Sequence, residues 1–345
     1  MADEKSDGWR IALQLLPIAL LPTAVLVGSD FLLTQHGRPE LVGMDPGFKL
    51  DSSVAAHAEA AARIRIIAGF LLFVAAAAAV TGYFAVLAAR MDRFSLVRVF
   101  AVAAALVVVC GTFIATQPEV QTQELVGQRF MCAAASHPHD IALVQEKDRV
   151  QPDSGRLVED VPKNCGAARF IGIRNLIKTE FGILLVAIPA AIFGAILSLA
   201  APRRSSSIRS AASKQARSRL LQLQIDRLNT VLYLSAFLMV GGLLFLSAFL
   251  HYPAFLFAGP RLAAFQQHVG SIVLFYAVSY SLLIAAFYVP LAAILVRECA
   301  VLKNAGGAEL EGSGMLSTAQ MLKVGGAIFS PLIAGALGEV LVFPL

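Results

Sequence analysis

The sequence predicts an all-α integral membrane protein: a six-helix polytopic bundle with a small disulfide-stapled outer cap and a C-terminal interfacial helical pair. Three observations carry that expectation. Six apolar stretches, near 11–33, 66–89, 99–116, 181–201, 231–250 and 269–296, each reach the length of about 20 mainly apolar residues that a bilayer crossing needs. The composition is 57 % hydrophobic and 15 % charged, against about 45–50 % and 25 % in soluble domains. The Lys and Arg residues between the stretches are dense in some loops and balanced by acids in others, the asymmetry that orients membrane helices.

The first three spans occupy residues 1–116, with a short outer segment at 34–65. The first span is too long for a cleavable leader and lacks a small-residue cleavage site, so it is expected to stay in the mature chain. After it, Asp51-Ser52-Ser53 forms a helix-cap pattern. The alanines of 55–62 favour a helix running on into the second span, with Arg63 and Arg65 at headgroup level. The loop between spans two and three carries Arg90, Arg93 and Arg98 against Asp92. By the positive-inside rule it faces the cytoplasm.

Residues 117–177 form the predicted outer cap. Their basic residues are matched by acids such as Glu119, Glu124, Asp140, Glu146 and Asp148, as expected of a loop on the far side. Cys132 and Cys165 both fall here, and an oxidising compartment lets them pair. Closing that loop would remove roughly 4 kcal/mol of chain entropy from the unfolded state. The stretch 167–177, with Phe170, Ile173 and Ile177 on one face and Arg169 and Arg174 off it, reads as an amphipathic approach to the fourth span.

Spans four to six fall within 178–303, with a basic helical extension at 203–228. Arg203, Arg204, Arg209, Lys214, Arg217 and Arg219 make this the most basic part of the chain and place it against anionic lipid on the cytoplasmic side. An even number of spans then puts both termini in the cytoplasm, in a cell (inner) membrane. The net charge of +5 is accounted for by these loops, so no nucleic-acid partner is implied. Leu221, Ile225, Leu228 and Leu232 follow 4-3-4 spacing. Such a seam packs either against the chain's own sixth span or between copies of the protein. Residues 304–345 read as a Gly- and Glu-rich linker followed by amphipathic or re-entrant helices, in which Ser330-Pro331 looks like a cap with proline at the first position of a second short helix.

Chemistry is sparse. There is no glycine-rich phosphate loop, nucleophile elbow, zincin pair or paired-cysteine metal motif. Ionisable groups inside the spans are nearly lacking, Asp30, His251 and His268 standing at their edges. All six histidines fall on the predicted outer side. His137, His139 and Asp140 could ligate one metal ion, and His251 and His268 could pair across adjacent spans to hold a metal or haem. No cofactor is required by the sequence. The expected partners are the lipid bilayer and a second copy or another membrane protein.

The leading functional expectation is accordingly a non-enzymatic, self-associating membrane assembly: a scaffold, signal relay or ion-conducting component. One alternative is a small-solute transporter using kinked spans, for which Pro17, Pro22, Pro189, Gly241-Gly242 and Pro290 supply the irregularities. The other is an outer-side metal- or haem-binding membrane protein. Transporters that couple solute to ions keep acids or bases within the membrane, which separates the first two.

Overall fold

How closely two membrane helices approach depends on the small residues between them, and in this chain two glycines set the central contact. The computed structural model describes residues 21–22, 24–25, 28–29, 52–89, 168–200, 212–257, 260–304 and 318–341. They are almost wholly helical: α1 (Ser52–Ala88), α2 (Ala168–Ala200), α3 (Ala212–Leu250), a 3-10 turn (Tyr252–Leu256), α4 (Pro260–Asn304) and α5 (Thr318–Leu341). His57–Ala88, Ser218–Phe255 and Leu262–Val301 are long and apolar enough to cross a membrane, and Gly182–Ser198 and Met321–Leu337 are shorter apolar helices. This is consistent with a membrane protein. The predicted third span and the loop from 117 to 167 lie outside the described residues.

α1 and α3 interlock. A methyl group added at Gly69 would stand 2.9 Å from the Phe245 Cα, and one at Gly241 would stand 3.2 Å from the Phe73 Cα. Moving four residues forward on α1 and four back on α3 swaps the roles: each helix offers a glycine to the other's phenylalanine. Both rings are fully buried, so the backbones meet where the side chain is missing and two large rings fill the space beside them. The pairing is antiparallel along its whole length. At one end Tyr252 reaches Glu59, and at the other Tyr83 and Leu87 share a shallow groove with Asp226 and Thr230.

The other helices pack around this pair. α2 is antiparallel to α3, with Glu180 beside Gly242 and Gly194 against Val231. α4 is antiparallel to α3 as well, Tyr288 meeting Asn229 and Ala277 lying level with Leu243 where both border Gly335 of α5. The core runs through Leu228, Leu232, Leu238, Met239, Phe245 and Phe249 of α3 to Phe265, Ile284, Phe287 and Leu291 of α4. Large apolar side chains also point outward, among them Leu71, Leu282, Val289 and Phe329, a distribution suited to a lipid solvent rather than water. α3 ends at Leu250 because Pro253 has no N–H to give and its ring crowds the Phe249 carbonyl.

The C-terminal helical pair is corrected. α5 is one helix, running through Pro331 without a break. Proline at 331 takes away the hydrogen bond due to the Ala327 carbonyl, but the Ser330 hydroxyl donates to that carbonyl at 2.8 Å. Ser330 therefore repairs the helix interior instead of capping a new helix. Nor does α5 stand apart from the bundle: Gly335 lies against Ala277, Leu243 and the Val273 carbonyl, all within the long apolar segments of α3 and α4.

Candidate functional site

Hydroxyls buried in apolar helices usually bond back to their own backbone, as Thr81, Ser198, Ser279 and Ser330 do here. The exceptions form the candidate site: polar groups that reach between helices or stay unmatched, strung along the middle of the bundle.

At the Tyr252 end, the 3-10 turn folds the Tyr252 ring back across the end of α3. Its hydroxyl donates to Glu59 Oε1 of α1 at 2.9 Å, and both residues are buried. Near the Asp226 end, the Tyr288 hydroxyl of α4 donates to Asn229 Oδ1 of α3 at 2.9 Å, again with both partners buried. Between these two cross-links lies Glu180. It is 5 % exposed, and no hydrogen bond or ion pair to its carboxyl is found among the described residues.

Glu180 projects from α2 towards the point where α3 has no side chain. Its Oε1 is 4.0 Å from where a Cβ of Gly242 would be, and the Phe73 ring borders the same space at 3.6–3.7 Å. Tyr280 of α4 is within electrostatic reach of the carboxyl, and Tyr276 of the same helix is close to Tyr280. Gly242 lies eight residues before the end of α3, about 12 Å along the axis, and sixteen residues beyond Asp226, about 24 Å. The carboxyl thus lies about a third of the way along α3 from its Leu250 end towards Asp226. Two further buried hydroxyls, Ser235 and Ser281, have no hydrogen-bond partner among the described residues.

The residues singled out from sequence fare differently. Leu221, Ile225, Leu228 and Leu232 are all at most 5 % exposed within the single chain, covered by its own helices. His251 is half-buried with Nδ1 donating to the Ser247 carbonyl at 2.8 Å, its side chain thereby held to its own helix. His268 is half-buried on α4. No group of three metal-ligating side chains occurs among the described residues. Arg219 is exposed near the start of α3, Lys214 and Arg217 fall on its first turns, and Arg203, Arg204 and Arg209 lie outside the described residues. So do Cys132, Cys165, His137, His139 and Asp140. No disulfide is found among the described residues, where Cys299 is a buried free thiol.

Sequence reading missed Glu180, Glu59, Asn229 and the four tyrosines, Tyr252, Tyr276, Tyr280 and Tyr288. Glu180 directly precedes the fourth apolar stretch and so looks like a headgroup-level residue, until α2 is set against α3 and Glu180 falls level with Gly242. No family model matches the chain, and no curated protein and no solved structure matches it.

Proposed function

We propose that this chain is a polytopic membrane transport protein that moves a small solute through its helical bundle. The observation that carries the reading is Glu180, a buried carboxyl with no partner among the described residues, set inside the apolar layer between four helices. Such groups are costly in a membrane and mark substrate or ion pathways. The cross-helix pairs Glu59–Tyr252 and Asn229–Tyr288 add polar groups above and below it along the bundle. Pro189 and Pro290, inside α2 and α4, provide points at which those helices can bend.

The finer architecture proposed with it keeps the six spans, the outer cap and a Cys132–Cys165 bridge. The close approach of the Ala88 end of α1 to Asp226 of α3 supports a cytoplasmic placement of that end. The sequence leaving α1 there carries Arg90, Arg93 and Arg98, and the sequence entering α3 carries Arg203 to Arg219. The Tyr252 end is then the outer one. Self-association through the leucine seam has less support, because its four side chains are already covered within one chain.

The test is uptake. Purified protein in detergent is screened by thermal shift against a panel of small polar and amphipathic solutes, and those that stabilise it are offered, radiolabelled, to proteoliposomes. The reading requires accumulation above that of protein-free vesicles. If no solute shifts the melting temperature and none enters, the transport reading fails.

A further inference from the structure

We infer that the Glu180 carboxyl is a proton-binding site, the point at which transport is coupled to proton movement; the coupling, though not the proton binding itself, rests on the transport reading above. Glu180 has no partner among the described residues, and a carboxylate left so in apolar surroundings is expensive and is relieved by a bound cation or by a proton. The immediate surroundings select between them. α1 contributes the Phe73 ring, α3 contributes Gly242 with no side chain, and α4 brings the Tyr280 phenol within electrostatic reach. α5 has no ionisable residue between 324 and 338. A hard metal cation would need several oxygen ligands around it, but no second carboxylate stands with Glu180 and no metal-ligating cluster occurs among the described residues. A proton needs only one carboxyl oxygen. With a proton bound, the site is neutral and fits its aromatic wall. With the proton released, it exposes a charge that the bundle must rearrange to hydrate, and that difference couples proton movement to a conformational change.

Along α3 the carboxyl is nearer the Tyr252 end, about 12 Å away against about 24 Å to Asp226. The Glu59–Tyr252 hydrogen bond lies at that end of the bundle. The site therefore loads from the Tyr252 end, with the Tyr280 hydroxyl within electrostatic reach of the carboxyl.

Two measurements on the full-length protein test this. Infrared difference spectra in light and heavy water should contain a protonated-carboxyl carbonyl band that shifts on deuteration, is kept by Glu180→Asp and is lost in Glu180→Gln. Dicyclohexylcarbodiimide, which adds to protonated carboxyls in apolar surroundings, should label the Glu180 peptide. That labelling should fall roughly tenfold for each pH unit above the midpoint of the carboxyl and be unchanged by sodium at fixed pH. A wild-type band unaltered in Glu180→Gln, no adduct at Glu180, or protection by sodium overturns the proton site, sodium protection indicating a metal cation instead. Solute uptake that survives in Glu180→Gln and leaves the vesicle interior at constant pH removes the coupling and leaves transport standing. A Glu180 band and adduct with no solute uptake leave the proton site standing and remove transport.

Discussion

Replacing Gly69 by alanine tests the geometry on which the whole bundle rests. The added methyl would come to 2.9 Å from the Phe245 Cα and 3.1 Å from its nitrogen, distances that real Cβ atoms rarely or never show. The obstructing atoms are backbone, so no rotamer change relieves the clash. Reaching an ordinary contact of 3.4 Å requires α1 and α3 to part by about 0.5 Å, and a gap of that size forfeits a quarter or more of each affected dispersion contact. Phe73 and Phe245, both fully buried beside the contact, lose most. Overpacking of this kind costs about 1–3 kcal/mol. Alanine is also the better helix former, by up to about 1 kcal/mol, but Gly82 of the same helix offers a control because nothing lies within 4 Å of its missing Cβ. Gly69→Ala should therefore be about 1–3 kcal/mol less stable than Gly82→Ala. Gly241→Ala, at 3.2 Å from Phe73 Cα, should fall between them, and Gly242→Ala, with only ordinary contacts from 3.6 Å, near the control. Reversible unfolding in mixed micelles with rising sodium dodecyl sulfate gives the comparison. If Gly69→Ala and Gly82→Ala agree within about 0.5 kcal/mol, the spread expected of unconstrained positions, the interlock is not what sets the α1–α3 distance.

The same unfolding assay should find Tyr252→Phe more damaging than Tyr288→Phe, since the first takes a donor from a buried carboxyl, at about 1–3 kcal/mol, and the second breaks a neutral cross-helix bond of about 0.6 kcal/mol; equal losses would count against a structural role for the Glu59 contact. Ile225→Asp with Leu228→Asp should abolish a monodisperse folded particle rather than shrink an oligomer, and a folded, smaller species on size-exclusion would restore the seam between copies. In intact cells an impermeant thiol reagent should spare Ser207→Cys and modify Ser154→Cys, and labelling of the former from outside would invert the proposed orientation. Mass spectrometry without reductant should find Cys132 joined to Cys165, and two free thiols in protein from an oxidising compartment would remove the bridge.

The long helices were legible because each apolar stretch is bounded by residues that belong elsewhere. Arg63 and Arg65 flank one, Pro253 closes another, and the run before Arg297 lies on α4. The continuity of α3 was legible too, from the spacing of Leu221 to Leu232 inside the basic region. That spacing identifies a buried face but not what buries it, and the structure covers it with the chain itself. The unbroken α5 was hidden for a different reason. Ser330-Pro331 has the same residues whether the serine caps a new helix or repairs an old one, and the choice depends on the partner of the Ala327 carbonyl. Glu180 was hidden by depth. Hydropathy ranks it as the edge of an apolar stretch, whereas its level in the bundle is set by how α2 lies along α3, which no local pattern records.

That level is also the argument against a purely structural role. A buried carboxyl without a matched partner stabilises a fold less than an apolar side chain of similar size would, so Glu180 is a poor choice for holding helices together. Polar groups are sometimes kept in a core to fix the pairing of elements, yet here the pairing is already fixed by steric means. Gly69 and Gly241 admit Phe245 and Phe73 in one antiparallel register, and Asn229–Tyr288 pins α4 to α3 with a satisfied hydrogen bond. On α2, Gly194 meets Val231 of α3 by apolar contact, and no hydrogen bond from Glu180 to another helix is found among the described residues. Its position also differs from that of Glu59, which holds a tyrosine hydroxyl at the end of the bundle. A costly buried carboxyl that makes no cross-helix bond among the described residues is better explained by function than by architecture, and the function we infer for it is to take up and release a proton.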